Sequence, residues 1–208
     1  MKLIAHRGFW LQSEEKNSMK AFSRALEAGF GIETDFRDLN GELVLSHDPP
    51  HEGAVSATAF FELVHSFPKG LIAVNVKADG LQSTLVAAVS GLPMDRVFVF
   101  DMSVPDTLGY FESSTPVFVR ASEYENPCPA LLSKASGVWL DAFHGDWFTR
   151  RTIEAYRTLG LSVCIVSPEL HQRKHDALWG KLKEWGFAAD PAIFLCTDFP
   201  DQAEAFFL

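Results

Sequence analysis

Glu33 and Asp35 stand two residues apart in a strand-like stretch, so on a β-strand their side chains leave the same face. Two carboxylates placed this way are hard oxygen ligands, and the amide oxygen of Asn75 would complete a triplet suited to Mg2+ or Ca2+. Zinc fits less well, because the chain has neither an HExxH motif nor a cysteine cluster. His6 and His47 close two strand-like runs, and imidazoles titrate in the range that proton transfer near neutral pH requires. Arg7 and Lys77 can neutralise charge on an oxyanion. A divalent ion, two histidines and two cations suit cleavage of a phosphodiester. Acyl transfer would want a nucleophile motif such as GxSxG, which is absent. The blander alternative is an ion network in which Glu33 and Asp35 pair with Arg7 and Lys77 and bind nothing. His51, His65, His144, His171 and His175 fall on loop or helix stretches and read as surface residues.

These residues must be positioned by strands. Strand-like runs occupy 3–6, 31–37, 43–47, 71–77, 97–102, 116–122, 137–143, 162–167 and 192–198. Helical spacing fills 17–28, 57–66, 82–90, 105–111, 127–135, 147–159, 172–185 and 200–207. The first helix opens on Asn17-Ser18 and stops at Gly29, a cap at each end. Strand followed by helix, repeated, implies parallel strands with right-handed crossovers. With 43–47 as a hairpin partner of the second strand, eight β-α units remain, the count of a TIM (β/α)8 barrel. An open doubly wound α/β sheet is the alternative. No linker, repeat or low-complexity tract interrupts residues 1–208, which predicts one domain.

Polar residues interrupt the apolar strands near their C-terminal ends: His6 and Arg7, Glu33 and Asp35, His47, Asn75 and Lys77, Arg120 and Ser122, Asp141, Ser167 and Glu169. In a parallel barrel those ends converge on one mouth, where catalytic residues cluster. Arg120, Ser122, Glu123, Asp141, Ser167 and Glu169 are the candidates for lining the mouth and reading the leaving group, and Arg120 and Asp141 are taken as substrate-binding. Trp139, Phe143, Trp147 and Phe148 would either hold an apolar or choline-like group or pack the core, the commoner use of such aromatics.

The hydrophobic share of 47% and charged share of 22% exclude a disordered or collagen-like chain. A formal charge of -9 argues against nonspecific binding to nucleic acid or anionic lipid, both of which need a cationic footprint. Cys128, Cys164 and Cys196 suit neither a disulfide framework nor a CxxC site and read as buried, reduced thiols of a cytoplasmic protein. The apolar run after Lys2 is too short for a signal-peptide core, and no later stretch has the length of a membrane span.

His6-Arg7-Gly8, Glu15-Lys16-Asn17-Ser18, Glu33-Thr34-Asp35 and His47-Asp48-Pro49, in this order and spacing, resemble the N-terminal signature of the glycerophosphodiester phosphodiesterases. The resemblance continues weakly in Val74-Asn75-Val76-Lys77 and Thr197-Asp198-Phe199-Pro200-Asp201, while 80–190 matches by fold pattern only. It implies a compact TIM barrel, one divalent cation (Mg2+ or Ca2+), and hydrolysis of a phosphodiester to a phosphomonoester and an alcohol. By motif, His6 and His47 would be the acid/base pair and Arg7 would contact the phosphate. Glu33 and Asp35 would hold the metal, Lys77 would stabilise charge on the phosphoryl group, and Asn17 would organise the mouth.

Two departures stand out. The family usually carries a glutamate where this chain has Asn75, which implies weaker metal binding and a lean toward Ca2+. Residues 48–57 are also too few for the helical insertion that many members carry, which leaves the alcohol open. The expectation is a metal-dependent phosphodiesterase of lipid metabolism acting on a glycerophosphodiester or related phospholipid headgroup. Its partner would be that small-molecule diester, with no nucleic acid and no stable membrane anchoring. The alternative is a catalytically silent barrel that binds a phosphorylated ligand. A phospholipase working at a membrane surface would need an exposed loop such as 145–148, and the net charge counts against it.

Overall fold

Strands and helices alternate along the computed structural model, which describes Met1–Leu208. Two compact units emerge, one formed by Ala5–Val117 and the other by Phe118–Leu208 together with Met1–Ile4. The first holds the end of β1 (Lys2–His6), then α1 (Met19–Glu27), β2 (Gly31–Leu39), β3 (Glu42–Leu45), β4 (Val55–Ser56), α2 (Ala57–His65), β5 (Ile72–Val76), α3 (Gln82–Val89), β6 (Val97–Phe100) and α4 (Val104–Tyr110). The second holds β7 (Phe118–Ala121), α5 (Pro129–Leu132), β8 (Gly137–Leu140), α6 (Arg150–Thr158), β9 (Ser162–Val166), α7 (Asp176–Glu184), β10 (Ile193–Thr197) and α8 (Pro200–Phe207).

In the first unit β2 runs parallel to β5, and β5 parallel to β6, in a register that sets Asp35 beside Asn75. β2 continues into an antiparallel hairpin with β3. Its turn is Asn40-Gly41, with φ of 53° and 85°, the left-handed pair that a tight hairpin demands. Helices α1 and α2 cover the strands with a phenylalanine cluster, in which Phe22 meets Phe60 at 4.9 Å and Phe36 meets Phe61 at 5.7 Å between centroids. That cluster is fully apolar, so the buried polar residues of β2 stand out: Glu33, Thr34 and Asp35 are each at most 1% exposed.

In the second unit β7, β8, β9 and β10 are successive parallel neighbours. Arg120, Trp139 and Cys164 align across them and share a face. Gly137 has no side chain because the Phe118 ring lies where its Cβ would be, and Phe118 stacks on Phe194 at 6.0 Å.

Several expected boundaries move. Most strands end short of the polar residues expected to close them, because the ladder stops where the chain turns away: β6 ends at Phe100, β8 at Leu140 and β9 at Val166. The short β4 pairs with β3 and was unforeseen, since two residues carry no periodicity. The helix expected over 127–135 shrinks to Pro129–Leu132, and the one over 172–185 starts at Asp176 after a separate 3-10 turn, Pro168–His171. Ser18, not Asn17, caps α1 by accepting from Ala21 N. Cys164 and Cys196 are buried as expected, but Cys128 is exposed. Trp139 and Phe148 are buried while Trp147 is 37% exposed, so the four aromatics do not form one wall. No helix is long and apolar enough to cross a membrane.

Candidate functional site

β1 ends at His6, and the chain reverses through Arg7 and Gly8, with φ of 58° and 85°. A Cβ at position 8 would lie 2.9 Å from the carbonyl carbon and Cβ of Ala21, so only glycine fits beneath α1. The turn aims Arg7 N at Glu33, donating to its carbonyl at 2.9 Å and to Oε2 at 3.2 Å. Asn17 has a φ of 56° and donates its backbone N–H to Arg7 O at 3.0 Å. Its side chain donates to Asp35 Oδ2 at 2.9 Å and accepts from Thr34 Oγ1 at 2.8 Å. Asp101, just past β6, has a φ of 75° and accepts from Lys77 Nζ at 2.8 Å. Of the five non-glycine residues with positive φ, three therefore belong to this one network. Each costs about 1–3 kcal/mol, and strain so concentrated marks a site that the surrounding contacts over-determine.

The two carboxylates have different surroundings. Glu33 accepts from Asn75 Nδ2 at 2.9 Å on Oε1, and His6 Nε2 stands 3.9 Å from Oε2. Burial pushes the Glu33 carboxyl above its ordinary range and the Asp35 charge adds to this, while His6, Asn75 and Lys77 oppose the shift. Asp35 is flanked by cations, Arg7 Nε at 3.3 Å from Oδ2 and Lys77 Nζ at 3.7 Å from Oδ1. Of the ion network foreseen as the bland alternative, the Asp35 half is thus present, while Glu33 faces His6.

It leaves a remainder. Asp35 Oδ1 and Asn75 Oδ1 are buried and accept no hydrogen bond, although their residues are register partners on β2 and β5. A buried oxygen without a donor costs about 1–3 kcal/mol, and two of them facing one region are the complement of a hard cation. No three His, Cys, Asp or Glu side chains gather to hold a metal. The set that fits is two carboxylates and the Asn75 amide.

His47 follows β3, and Ser46 N donates to Asp35 O at 3.0 Å, which ties this segment to the β2 backbone at the site. Its ring is 44% exposed and bonds Asp48 Oδ1 at 2.9 Å through Nδ1. The structure thus assembles His6, Arg7, Asn17, Glu33, Asp35, Asn75 and Lys77 into one contact network and sets His47 at its edge. Asp101 escaped the sequence reading, although it is the first polar residue after an apolar strand, the signal that found the others. Glu15, quoted only as part of a motif, organises the loop before α1 by accepting from Leu11 N at 3.0 Å, Arg24 Nη1 at 2.9 Å and Lys20 Nζ at 2.6 Å. Chiefly the Arg24 and Lys20 bonds hold its carboxyl down to about 2.

Arg120 and Asp141 belong to the second unit. Arg120 pairs with Glu125 at 3.5 Å, and its guanidinium lies 5.8 Å from the Phe143 centroid. Asp141 Oδ1 accepts from Ala142 N at 2.9 Å and from His171 Nε2 at 2.7 Å. His171 is therefore no free surface residue: it is delivered by the 3-10 turn after β9, which sequence periodicity does not reveal. His175, also read as a surface residue, lies with its ring 4.0 Å from the Trp179 ring and its Nδ1 3.6 Å from Glu169 Oε2. Glu169 fastens this segment by accepting from the Ser167 and Thr197 hydroxyls and from Asp198 N.

No protein-family model matches the sequence, and no curated protein matches it. Solved structures do. A glycerophosphodiester phosphodiesterase from Parabacteroides distasonis superposes with a TM-score of 0.76 at 17% identity, covering 99% of this chain and 96% of that one. One from Agrobacterium tumefaciens gives 0.70 at 19% identity over 99% and 98%. A Ca2+-dependent phosphatidylinositol-specific phospholipase C from Streptomyces antibioticus gives 0.55 at 12% identity over 100% and 96%. At such identities the likeness is one of fold. This chain has the α/β TIM-barrel fold of the glycerophosphodiester phosphodiesterases, with only a turn and β4 between β3 and α2 where an insertion would stand.

Proposed function

We propose that the protein is a metal-dependent phosphodiesterase that hydrolyses a glycerophosphodiester, or a related phospholipid headgroup diester, to a phosphomonoester and an alcohol. The observation that carries this reading is the pair of donorless buried oxygens, Asp35 Oδ1 and Asn75 Oδ1, beside a histidine and two cations. Glu33, Asp35 and Asn75 would hold one Mg2+ or Ca2+, with Asn75 favouring the more permissive Ca2+. When bound, such an ion supplies Lewis-acid stabilisation of phosphoryl oxygens.

The chain's own residues do the rest. Arg7 and Lys77 compensate charge on the nonbridging oxygens, and Asn17 fixes Asp35 through its 2.9 Å bond. One of His6 and His47 takes the proton from the attacking hydroxyl, of water or of the substrate itself, as the new P–O bond forms. The other gives a proton to the leaving alkoxide as the old P–O bond breaks. Turnover of glycerophosphocholine and bis(p-nitrophenyl) phosphate, measured with Mg2+, Ca2+ or EDTA, tests this. Chelator-sensitive hydrolysis of a diester is expected. Absence of turnover on every diester would instead favour a silent barrel that binds a phosphorylated ligand, the reading that the Asn75–Glu33 hydrogen bond suits.

A further inference from the structure

Lys77 Nζ stands between two carboxylates. Asp101 Oδ2 accepts from it at 2.8 Å, while Asp35 Oδ1 lies 3.7 Å away, beyond hydrogen-bond reach. Asp35 Oδ1 is thereby left buried without a donor. An ammonium with no other anion beside it would close on that oxygen, because a charge-assisted bond settles at about 2.8 Å and burial strengthens it.

The choice between the two carboxylates lies in the Lys77 side chain, since the backbone is fixed. Lys77 N donates to Phe36 O at 3.0 Å, and Asn75 pairs with Phe100 across β5 and β6, so Lys77 and Asp101 leave neighbouring strand ends. Asp101 is held at a φ of 75°, uncommon for any residue with a side chain. Such a backbone persists where the surrounding contacts over-determine it, and it concentrates at functional sites. Both side chains of the ion pair are more than four-fifths buried, which limits its screening by water and salt.

Charge says what the arrangement achieves. Asp35 Oδ2 already meets Asn17 Nδ2 at 2.9 Å and Arg7 Nε at 3.3 Å, so Oδ1 is the oxygen that this residue can give to a divalent ion. A lysine bonded to Oδ1 would occupy it and set a positive charge where the ion must approach. Asp101 opposes both effects. It holds the ammonium on its own side and neutralises it, with a unit of negative charge that the Asn75 amide does not supply. We propose that Asp101 is a positioning residue that draws the Lys77 ammonium off Asp35 Oδ1 and keeps this oxygen open for the divalent ion, an inference that rests on the metal-dependent reading.

The test compares wild type with Asp101→Gly, a substitution that suits the left-handed backbone while removing the carboxylate. Both proteins are stripped with EDTA, dialysed and titrated calorimetrically with Ca2+ and with Mg2+. Asp101→Gly should weaken the Kd about tenfold, within the range that coupled neighbours show. In metal-free crystals of the variant, Lys77 Nζ should move to about 3 Å or less from Asp35 Oδ1, a shift that a merely structural role for Asp101 does not produce. Asp101→Asn, which loses the charge but keeps the shape and tolerates positive φ, serves if Asp101→Gly does not fold, and should change both readings in the same direction. The inference is overturned if the Kd is unchanged, or if the ammonium stays where it is. It is also overturned if wild-type crystals soaked in Ca2+ place an Asp101 oxygen within about 2.6 Å of the ion, which would make Asp101 a ligand. A wild type that binds neither ion defeats the metal-dependent reading and this inference together. A wild type that binds an ion which the variant binds equally well defeats this inference alone.

Discussion

Asn75 donates to Glu33 Oε1 at 2.9 Å with one end of its amide and presents a donorless oxygen with the other. A glutamate there would lose the donation and place a third carboxylate in the same buried patch. Asn75→Glu should therefore lower stability without divalent ion and tighten ion binding at least about tenfold, since ligand charge sets affinity for hard cations. Calorimetric titration with Ca2+ and Mg2+ measures this, and an unchanged affinity would show that Asn75 is not a ligand. His6→Ala and His47→Ala should each lower kcat by about a hundredfold or more on a diester that the wild type hydrolyses. The more instructive of the two is His47, whose ring is bonded to Asp48 and half exposed: an unaffected kcat would limit acid/base work to His6. At this scale the sequence was most informative where a polar residue broke an apolar strand, which is how Glu33, Asp35, Asn75 and Lys77 were found. His171 was missed because its role depends on a 3-10 turn that brings it back to Asp141, a long-range event with no local pattern.

The loop between β1 and α1 shows the same division at the scale of elements. Its strand and helix were evident from spacing, but its internal shape depends on Glu15 reaching Leu11, Lys20 and Arg24. Glu15 ionises at about 2 in the folded chain against 4.5 for the ordinary carboxyl. A depressed carboxyl contributes stability above its unfolded value and loses it as the pH falls toward the folded one. Glu15→Gln should thus lower the urea midpoint at pH 7, and the gap from wild type should close as the pH falls from about 4.5 to about 2. A gap independent of pH would mean that the ion pairs contribute nothing and only the shape of the side chain matters. Helix starts were less legible for a related reason: Asn17 and Ser18 are both good cap residues, and only the left-handed backbone at Asn17 turns its side chain away from α1 toward Asp35.

For the whole molecule, the formal charge of -9 sets the expectation for surfaces. The protein should not cosediment with neutral or anionic vesicles, and pelleting with phosphatidylserine liposomes at low salt would overturn that. The fold class was readable because eight strand-helix alternations leave few topologies. Strand ends were not, because hydrogen-bond ladders stop where neighbours diverge.

The clearance at Gly8 has one more implication. Residue 8 sits against the Ala21 backbone and Phe9 N donates to Ala21 O at 3.0 Å, so α1 cannot slide along its axis without dragging the turn that follows His6. The first helix therefore acts as a ruler for the imidazole. A homologue with a bulkier residue at position 21 could keep its histidine in place only through a compensating change in the reversal itself, and the two positions should vary together across species.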